Sequence, residues 1–385
     1  MNKFLHWLAG GIAVVTASAA WSAQKLEPAP PTEAEAPIAL LVDLSSGQTL
    51  FARDLDRRFM PASITKVMTT FVAFEWMEQG RLFAEQVFAV RPETFRRWSG
   101  VGSTMFVPHD ARLTVDELLH GITTISANDA SLVLAEGAAG SVEDWTAAMN
   151  EAAAEVGMRN SHFATPNGWM DEGRTFTTAR DLALLAKAMV TRHPSKYRHF
   201  VGAQGLEYNG IAQRNHDPIS GVVPGADGIK TGFTNQAGYG FLGSAERNGR
   251  RLVMVVAASP RGRDRNRASQ RFMEWGFANF TSKRLFEKGE RIGTARVQDG
   301  GVGSIGLIAP APVRLSLPKD RMPEVDLSIR YQGPLKAPVA QGEEIAQLVI
   351  TVDGRQVNAL PLVAEHAVGE ATFVQRIFNG LGSWL

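Results

Sequence analysis

No cysteine occurs among the 385 residues, which excludes disulfides and thiolate chemistry. The absence is compatible with an oxidising compartment without requiring one. An excess of charge of one sign is also missing. The chain has 40 Lys and Arg against 39 Asp and Glu, a net charge of +1, and so lacks the basic surplus of a nucleic-acid binder. The eight histidines show no His-x-x-x-His spacing near a carboxylate, so neither a metal centre nor a cofactor is expected. No glycine-rich phosphate loop follows a strand, which leaves nucleotide binding unsupported. Internal repeats and low-complexity blocks are absent as well. What remains, 44% hydrophobic and 21% charged, is the composition of a globular protein. Its length allows two cores with short appendages.

The N-terminus has a Lys3 charge, an apolar and small-residue run from Phe4 to Ala20, and small residues to Ser22. This is the pattern of a secretory signal peptide, expected over 1–22, with an uncleaved anchor as the alternative. Breaks after Ala19, Ala20 or Ser22 are all compatible with it. The Pro-, Glu- and Ala-rich stretch that follows reads as an extended linker over 23–36. From Ile38 two strands turn at Ser46-Gly47, and a helix follows Pro61. Ala-rich amphipathic helices dominate from Leu113 to Met189, one of them opened by a Thr178/Asp181 capping box. Strands return at Gly225 to Ser244 and at Arg251 to Ser259, and a helix ends near Trp275-Gly276-Phe277. First and last strands that can pair predict an α/β unit over 37–280 with a helical insertion. Residues 281–366 alternate short Val/Ile/Leu runs with turns, including an Asp353-Gly354 hairpin signal, and predict a small all-β domain. The last stretch, 367–385, carries Phe373, Ile377, Leu381 and Trp384 on one helical side. That predicts an amphipathic helix lying on a membrane surface through residues 369–385, or else packed on its own β domain.

Three short motifs carry chemistry. Ser63 stands three residues before Lys66, so on a helix the hydroxyl and amine are neighbours. A serine needs a base to become a nucleophile, and a lysine can be that base only if burial and cationic neighbours lower its pKa. The same spacing recurs at Ser22/Lys25 and Ser316/Lys319. The first of these lies in the leader region, and Pro318 interrupts the second. Ser126-Ala127-Asn128 follows a helical segment, where a polar N-cap is the plain alternative. Lys230-Thr231-Gly232 opens a strand and is followed by Phe233. Each motif alone is cheap. All three in this order, on helix, loop and strand, are the pattern of the β-lactamase and penicillin-binding group.

On these residues the sequence resembles the low-molecular-mass penicillin-binding proteins of the serine-type D-alanyl-D-alanine carboxypeptidase family. The resemblance runs from Pro37 to Leu385 and includes Ser126 to Asp129 and Asp227 to Gly240. It implies a transpeptidase-like fold, an antiparallel sheet with flanking helices and a helical insertion, followed by the β domain and the tail. It also implies that Ser63 attacks the carbonyl between two terminal D-alanines with Lys66 as base. The oxyanion would sit on the backbone N–H groups of Ser63 and Phe233. Ser126 would relay a proton with Lys230, Asn128 would bind the substrate peptide, and Gly232 would complete the strand motif. Thr231 and the cationic Arg214 and Arg265 would hold the terminal carboxylate, although Arg261, Arg263 and Arg267 make the second arginine ambiguous. Some relatives carry His where this chain has Phe233. Partners implied are peptidoglycan stem peptides ending in D-Ala-D-Ala and, as covalent inhibitors, β-lactams, in an exported, periplasmic setting. A class A β-lactamase would need a Glu-x-x-x-Asn between Ser126 and Lys230, which is absent. A D,D-endopeptidase and a non-catalytic wall-binding protein are the other readings. Covalent acylation of Ser63 separates the non-catalytic reading from the enzymes.

Overall fold

The computed structural model describes residues 26–372. The expected leader, 1–22, and the tail from 373 onward lie outside the described residues. Five antiparallel strands form the central sheet in the order β2-β1-β9-β8-β7: β1 (Ile38–Asp43), β2 (Gln48–Arg53), β7 (Ala226–Thr234), β8 (Gly238–Arg247) and β9 (Arg250–Ser259). The first and last strands in sequence, β1 and β9, do pair, with Ile38 opposite Ala257. Period-two alternation fixes what each face of β9 meets. Leu252, Met254 and Val256 turn to Phe272 and Met273 on one side, while Val253, Val255 and Ala257 join the helical core on the other. Phe241, Met254 and Phe272 are wholly buried. Each such side chain contributes ~1.5–3 kcal/mol.

The insertion between β2 and β7 holds α1 (Lys66–Glu78), β3 (Val87–Ala89), α2 (Pro92–Trp98), β4 (Arg112–Thr114), α3 (Val115–Thr124) and α4 (Asn128–Ala139). It continues with α5 (Val142–Glu155), α6 (Ala179–Arg192), α7 (Pro194–Phe200) and the hairpin β5 (Gly205–Tyr208)/β6 (Ile211–Arg214). A capping box opens α3, with Thr114 and Glu117 bonded reciprocally. At α6 the expected box is only half made. Thr178 Oγ1 accepts from Asp181 N–H, but the Asp181 carboxylate accepts from Asn160 N–H at 2.8 Å and Ser161 Oγ at 2.7 Å. That buried carboxylate ties the 160–161 turn to the helix instead of closing the cap. The final helix of the unit, α8 (Gly262–Asn279), covers the second sheet face and runs two residues beyond Phe277.

Residues 26–36 have little regular structure, yet they lie against the unit. Arg53 donates to the Pro31 and Ala36 carbonyls, Arg271 donates to the Glu27 carbonyl, and Ala36 is buried. The β region begins directly at β10 (Phe280–Phe286), which pairs with β13 (Val313–Pro318). A six-stranded sheet is built from β11 (Arg291–Gln298), β12 (Ser304–Ile308), β14 (Val325–Arg330), β15 (Leu335–Lys336), β16 (Glu344–Val352) and β17 (Arg355–Ala364). The Asp353-Gly354 turn joins β16 to β17, and Leu307, Leu348, Ile350 and Leu362 centre a separate core. The helix expected from 367 does not begin there. Val368 and Glu370 make extended bridges to Val339 and Gly300, and Ala371 N–H donates to the Asp299 carbonyl.

Candidate active site

Pro61 opens a 3-10 turn, Ala62–Thr65, which leads into α1 and carries Ser63 at the mouth of a cleft of about 710 Å³. Ser63 therefore stands on the turn before α1, one step upstream of the first α-helical turn expected for it. Gly232 explains how closely β7 approaches this turn. A Cβ there would sit 2.5 Å from the Pro61 carbonyl oxygen and 3.2 Å from Ile64 N. Only a residue without a side chain allows the strand backbone to run beside the Ser63 turn.

Lys66 is the most informative group. It is fully buried, and its Nζ lies 3.0 Å from Ser63 Oγ, 2.8 Å from Asn128 Oδ1 and 2.8 Å from the Asn167 carbonyl oxygen. Two of these partners can only accept. A neutral amine has two N–H donors and one lone pair, so with both carbonyl-type oxygens satisfied the lone pair faces the serine hydroxyl. Burial, and next the charge of Lys230, hold its pKa well below the ordinary lysine value, against an opposing pull from Asp129.

Ser126 and Asn128 sit where α3 passes to α4, with Ser126 in left-handed backbone at φ 65°. Both line the cleft. The alternative N-cap role is not taken: Ala127 is the N-cap of α4, without a side-chain cap. Asn128 was expected to face substrate. Its amide is oriented by protein, Oδ1 accepting from Lys66 and one Nδ2 hydrogen donating to the Val101 carbonyl, while the residue lines the cleft with its second Nδ2 hydrogen left for substrate. Next to it, the buried Asp129 carboxylate accepts from Met105 and Val107 N–H and so holds the loop that brings Gly102 and Ser103 to the cleft. Burial raises its pKa, against the pull of those amides.

Lys230 lies on β7 with Nζ donating to the Thr231 carbonyl at 3.1 Å. Burial and the nearby Arg265 lower its pKa from 10.5 to about 7, opposed by Asp217. Lys66 and Lys230 share a small cavity walled by Val67, Met189, Val201 and Ile229, which accounts for the desolvation of both. Of the four arginines Arg261, Arg263, Arg265 and Arg267, Arg265, in the first turns of α8, is the one among the cleft-lining residues. It is 7% exposed, lines the cleft, and donates to the Gly240 carbonyl and Asn266 Oδ1. Burial lowers its pKa to about 10, so it stays cationic at neutral pH. Arg261 and Arg263 are exposed beside Asp264, and Arg267 is exposed. Arg214 is exposed on β6 and does not line the cleft. The residues after it, Asn215, His216 and Asp217, take that wall. Thr231 lines the floor, and Phe233, 46% exposed, stacks on Tyr239 with ring centroids 4.1 Å apart.

Asn167, Trp169, His216, Asp217 and Tyr239 complete the cleft and were not anticipated. Asn215 to Asp217 adjoin Arg214 in sequence, which is the one signal that could have pointed to them. Gly168 must approach the turn as closely as Gly232 does: it has φ 72°, and a Cβ there would meet the Ala62 carbonyl oxygen at 1.8 Å.

The family model described as D-alanyl-D-alanine carboxypeptidase matches residues 23–260, and that of the penicillin-binding protein 5 C-terminal domain matches 280–370. D-alanyl-D-alanine carboxypeptidase DacA of Haemophilus influenzae is 32% identical over 92% of this chain and 90% of its own length. The crystal structure of penicillin-binding protein 5 from Haemophilus influenzae superposes with a TM-score of 0.79 at 31% identity, covering 89% of this chain and 100% of that one. Penicillin-binding protein D2 from Listeria monocytogenes in its ampicillin-bound form is 26% identical with a TM-score of 0.58, over 65% of this chain and 100% of its own. The chain belongs to the D-alanyl-D-alanine carboxypeptidase family of low-molecular-mass penicillin-binding proteins.

Proposed function

We propose that this protein is a serine D-alanyl-D-alanine carboxypeptidase that removes the terminal D-alanine from peptidoglycan stem peptides and is acylated by β-lactams. The observation that carries this reading is the placement of the buried Lys66 amine, 3.0 Å from Ser63 Oγ and fixed by Asn128 Oδ1 and the Asn167 carbonyl oxygen, which in its neutral form directs its lone pair to Ser63. Lys66 takes the Ser63 proton as Oγ attacks the penultimate carbonyl carbon. The oxygen that gains charge is held by the backbone N–H groups of Ser63 and Phe233, each such donor stabilising the transition state by ~2.7–4 kcal/mol. As the peptide bond breaks, a proton passes by way of Ser126 and Lys230 to the leaving amine. Free D-alanine departs and an ester to Ser63 remains. Water hydrolyses that ester, returning the hydroxyl and releasing the shortened stem.

Arg265 and Thr231, which line the cleft, bind the terminal carboxylate, while Arg214 is exposed on β6 and is not among the lining residues. Asn128 and the Asn167 carbonyl keep the Lys66 amine aimed. A β-lactam enters the same step, but its cleaved amide stays tethered to the acyl group, so the leaving amine cannot diffuse away. Phe233 offers a backbone donor and an aromatic wall shared with Tyr239.

Release of D-alanine from diacetyl-Lys-D-Ala-D-Ala by the wild type and its loss in Ser63→Ala tests this function. A folded protein that penicillin acylates but that releases no D-alanine would overturn the carboxypeptidase reading in favour of an endopeptidase or a sensor.

Export and surface attachment belong to the same reading. The charged start, the apolar run and the small residues up to Ser22 support a cleaved leader, and the helical spacing of Phe373, Ile377, Leu381 and Trp384 in the sequence of 369–385 supports contact with the outer face of the cytoplasmic membrane. N-terminal sequencing of the exported protein is expected to begin at Ala20, Trp21 or Ala23. A start at Met1 would mean an uncleaved anchor.

A further inference from the structure

Two helices, α3 and α7, bring together three side chains that the catalytic chemistry does not use. Asp116 lies in the first turn of α3 and His120 one turn later, so both project from the same side of that helix. His199, in the last turn of α7, meets them. The two helices are fixed to each other here, because Thr123 Oγ1 donates to the Phe200 carbonyl at 2.6 Å. His199 Nε2 lies 3.0 Å from one Asp116 carboxylate oxygen, and His120 Nε2 lies 3.7 Å from the other. The imidazole centroids are 5.1 Å apart, and one ligand atom from each of the three residues falls within 4.8 Å of the others.

A hydrogen-bonded histidine–aspartate contact explains the 3.0 Å pair but not the second, which is too long for a hydrogen bond. The two contacts run to different Asp116 oxygens, and ligands at 2.0–2.2 Å from one tetrahedral ion stand about 3.3–3.6 Å apart, so closing around an ion needs only small side-chain rotations from ligand atoms already within 4.8 Å of one another. Asp116 and His120 are half-buried and His199 is exposed, so the outer side is open to a water ligand.

We propose that Asp116, His120 and His199 form a site for one borderline divalent transition-metal ion of the zinc type, which staples α3 to α7. Two imidazoles and one carboxylate suit such an ion better than magnesium or calcium, which prefer all-oxygen sites. The ion takes no part in acyl transfer. Its position is nevertheless consequential, since α3 leads into Ser126 and α7 leads into Val201, a wall of the cavity around Lys66 and Lys230. The sequence hid this site because His199 is remote from the Asp116/His120 pair and only the packing of α7 on α3 unites them.

The test uses the exported protein without an affinity tag, titrated with Zn(II) by calorimetry and with Co(II) by visible absorption. The expected result is one ion per chain, a tetrahedral Co(II) spectrum and a higher melting temperature with Zn(II). His199→Ala and His120→Gln should each weaken binding by roughly tenfold or more. His199 is exposed, so its variant keeps the fold, and unchanged D-alanine release in the metal-free state checks this. No saturable binding at sub-millimolar Zn(II), or binding of equal strength in His199→Ala, would overturn the proposal.

Discussion

Lys66 and Lys230 are two lysines placed where neither ammonium is well solvated, and the chemistry depends on that cost. At Lys230 the folded-state pKa of about 7 lies below the ordinary lysine value of 10.5. Between those values the unfolded chain binds a proton that the folded chain has lost, so stability rises with pH across this window and is level below it. The burial of this group costs about 4 kcal/mol at pH 7. Lys230→Met is therefore expected to unfold at a higher temperature than the wild type at pH 7, with the advantage shrinking as pH approaches 10.5. Its acylation rate should fall even so. Thermal unfolding across pH checks the first part, and a variant that is less stable at pH 7 would contradict it. Lys66→Ala is expected to lose ~10²–10⁴ in acylation rate, the range for a general base. The wild-type rate should fall on acidification, as Lys66 gains the proton that occupies its lone pair. For the arginines, Arg265→Ala should raise KM for the D-Ala-D-Ala peptide by tenfold or more, roughly the loss of one charged hydrogen bond. Arg214→Ala should leave it nearly unchanged. Steady-state kinetics on both variants decides, and the reverse order would return the carboxylate site to β6.

At the scale of elements, the site is made by three backbones in contact: the 3-10 turn at Ser63, the α3–α4 junction and β7. Gly232→Ala places a Cβ 2.5 Å from the Pro61 carbonyl oxygen. The overpacking is expected to cost ~1–3 kcal/mol and to push β7 away from Ser63, so acylation should drop more than stability. Paired melting and acylation measurements on this variant check it, and normal acylation would show that the close approach is dispensable. The three motifs were legible because each sits on a recognisable element: apolar periodicity after Ser63, a helix before Ser126, alternation after Lys230. Arg265 was also within reach. Along α8 the buried residues are Arg265, Ala268, Ser269, Phe272, Met273 and Gly276, a three-to-four spacing that passes through Arg265 and misses Arg263 and Arg267. Asn167 and Trp169 gave no such signal, because they lie on an irregular segment whose path depends on tertiary packing.

Across the whole molecule, a buried polar joint sets the α/β unit against the β region. The Asp43 carboxylate accepts from Arg250 Nε and from Ser316 Oγ, both at 2.6 Å, while Arg250 also donates to the Phe280 carbonyl. Gln48 exchanges hydrogen bonds with the Ser316 backbone, and Asn358 donates to the Ser46 carbonyl. Ser316, whose spacing to Lys319 mimics the catalytic motif, thus serves the joint. Sequence alone showed two cores but not this contact, since its members come from β1, the β1–β2 turn, β2, β9, β10, β13 and β17. Asp43→Ala leaves Arg250 buried without its carboxylate and is expected to cost ~3–5 kcal/mol, with one calorimetric transition splitting into two. A single, unshifted transition would show that the joint is energetically idle. The central claim, that Ser63 is the acylated nucleophile, is tested most directly by the mass of the intact protein after incubation with a penicillin, followed by peptide mapping. The account predicts a gain of one inhibitor mass per chain, carried by the peptide containing Ser63 and absent from Ser63→Ala. A gain that persists in Ser63→Ala, or maps to any other peptide, would contradict it.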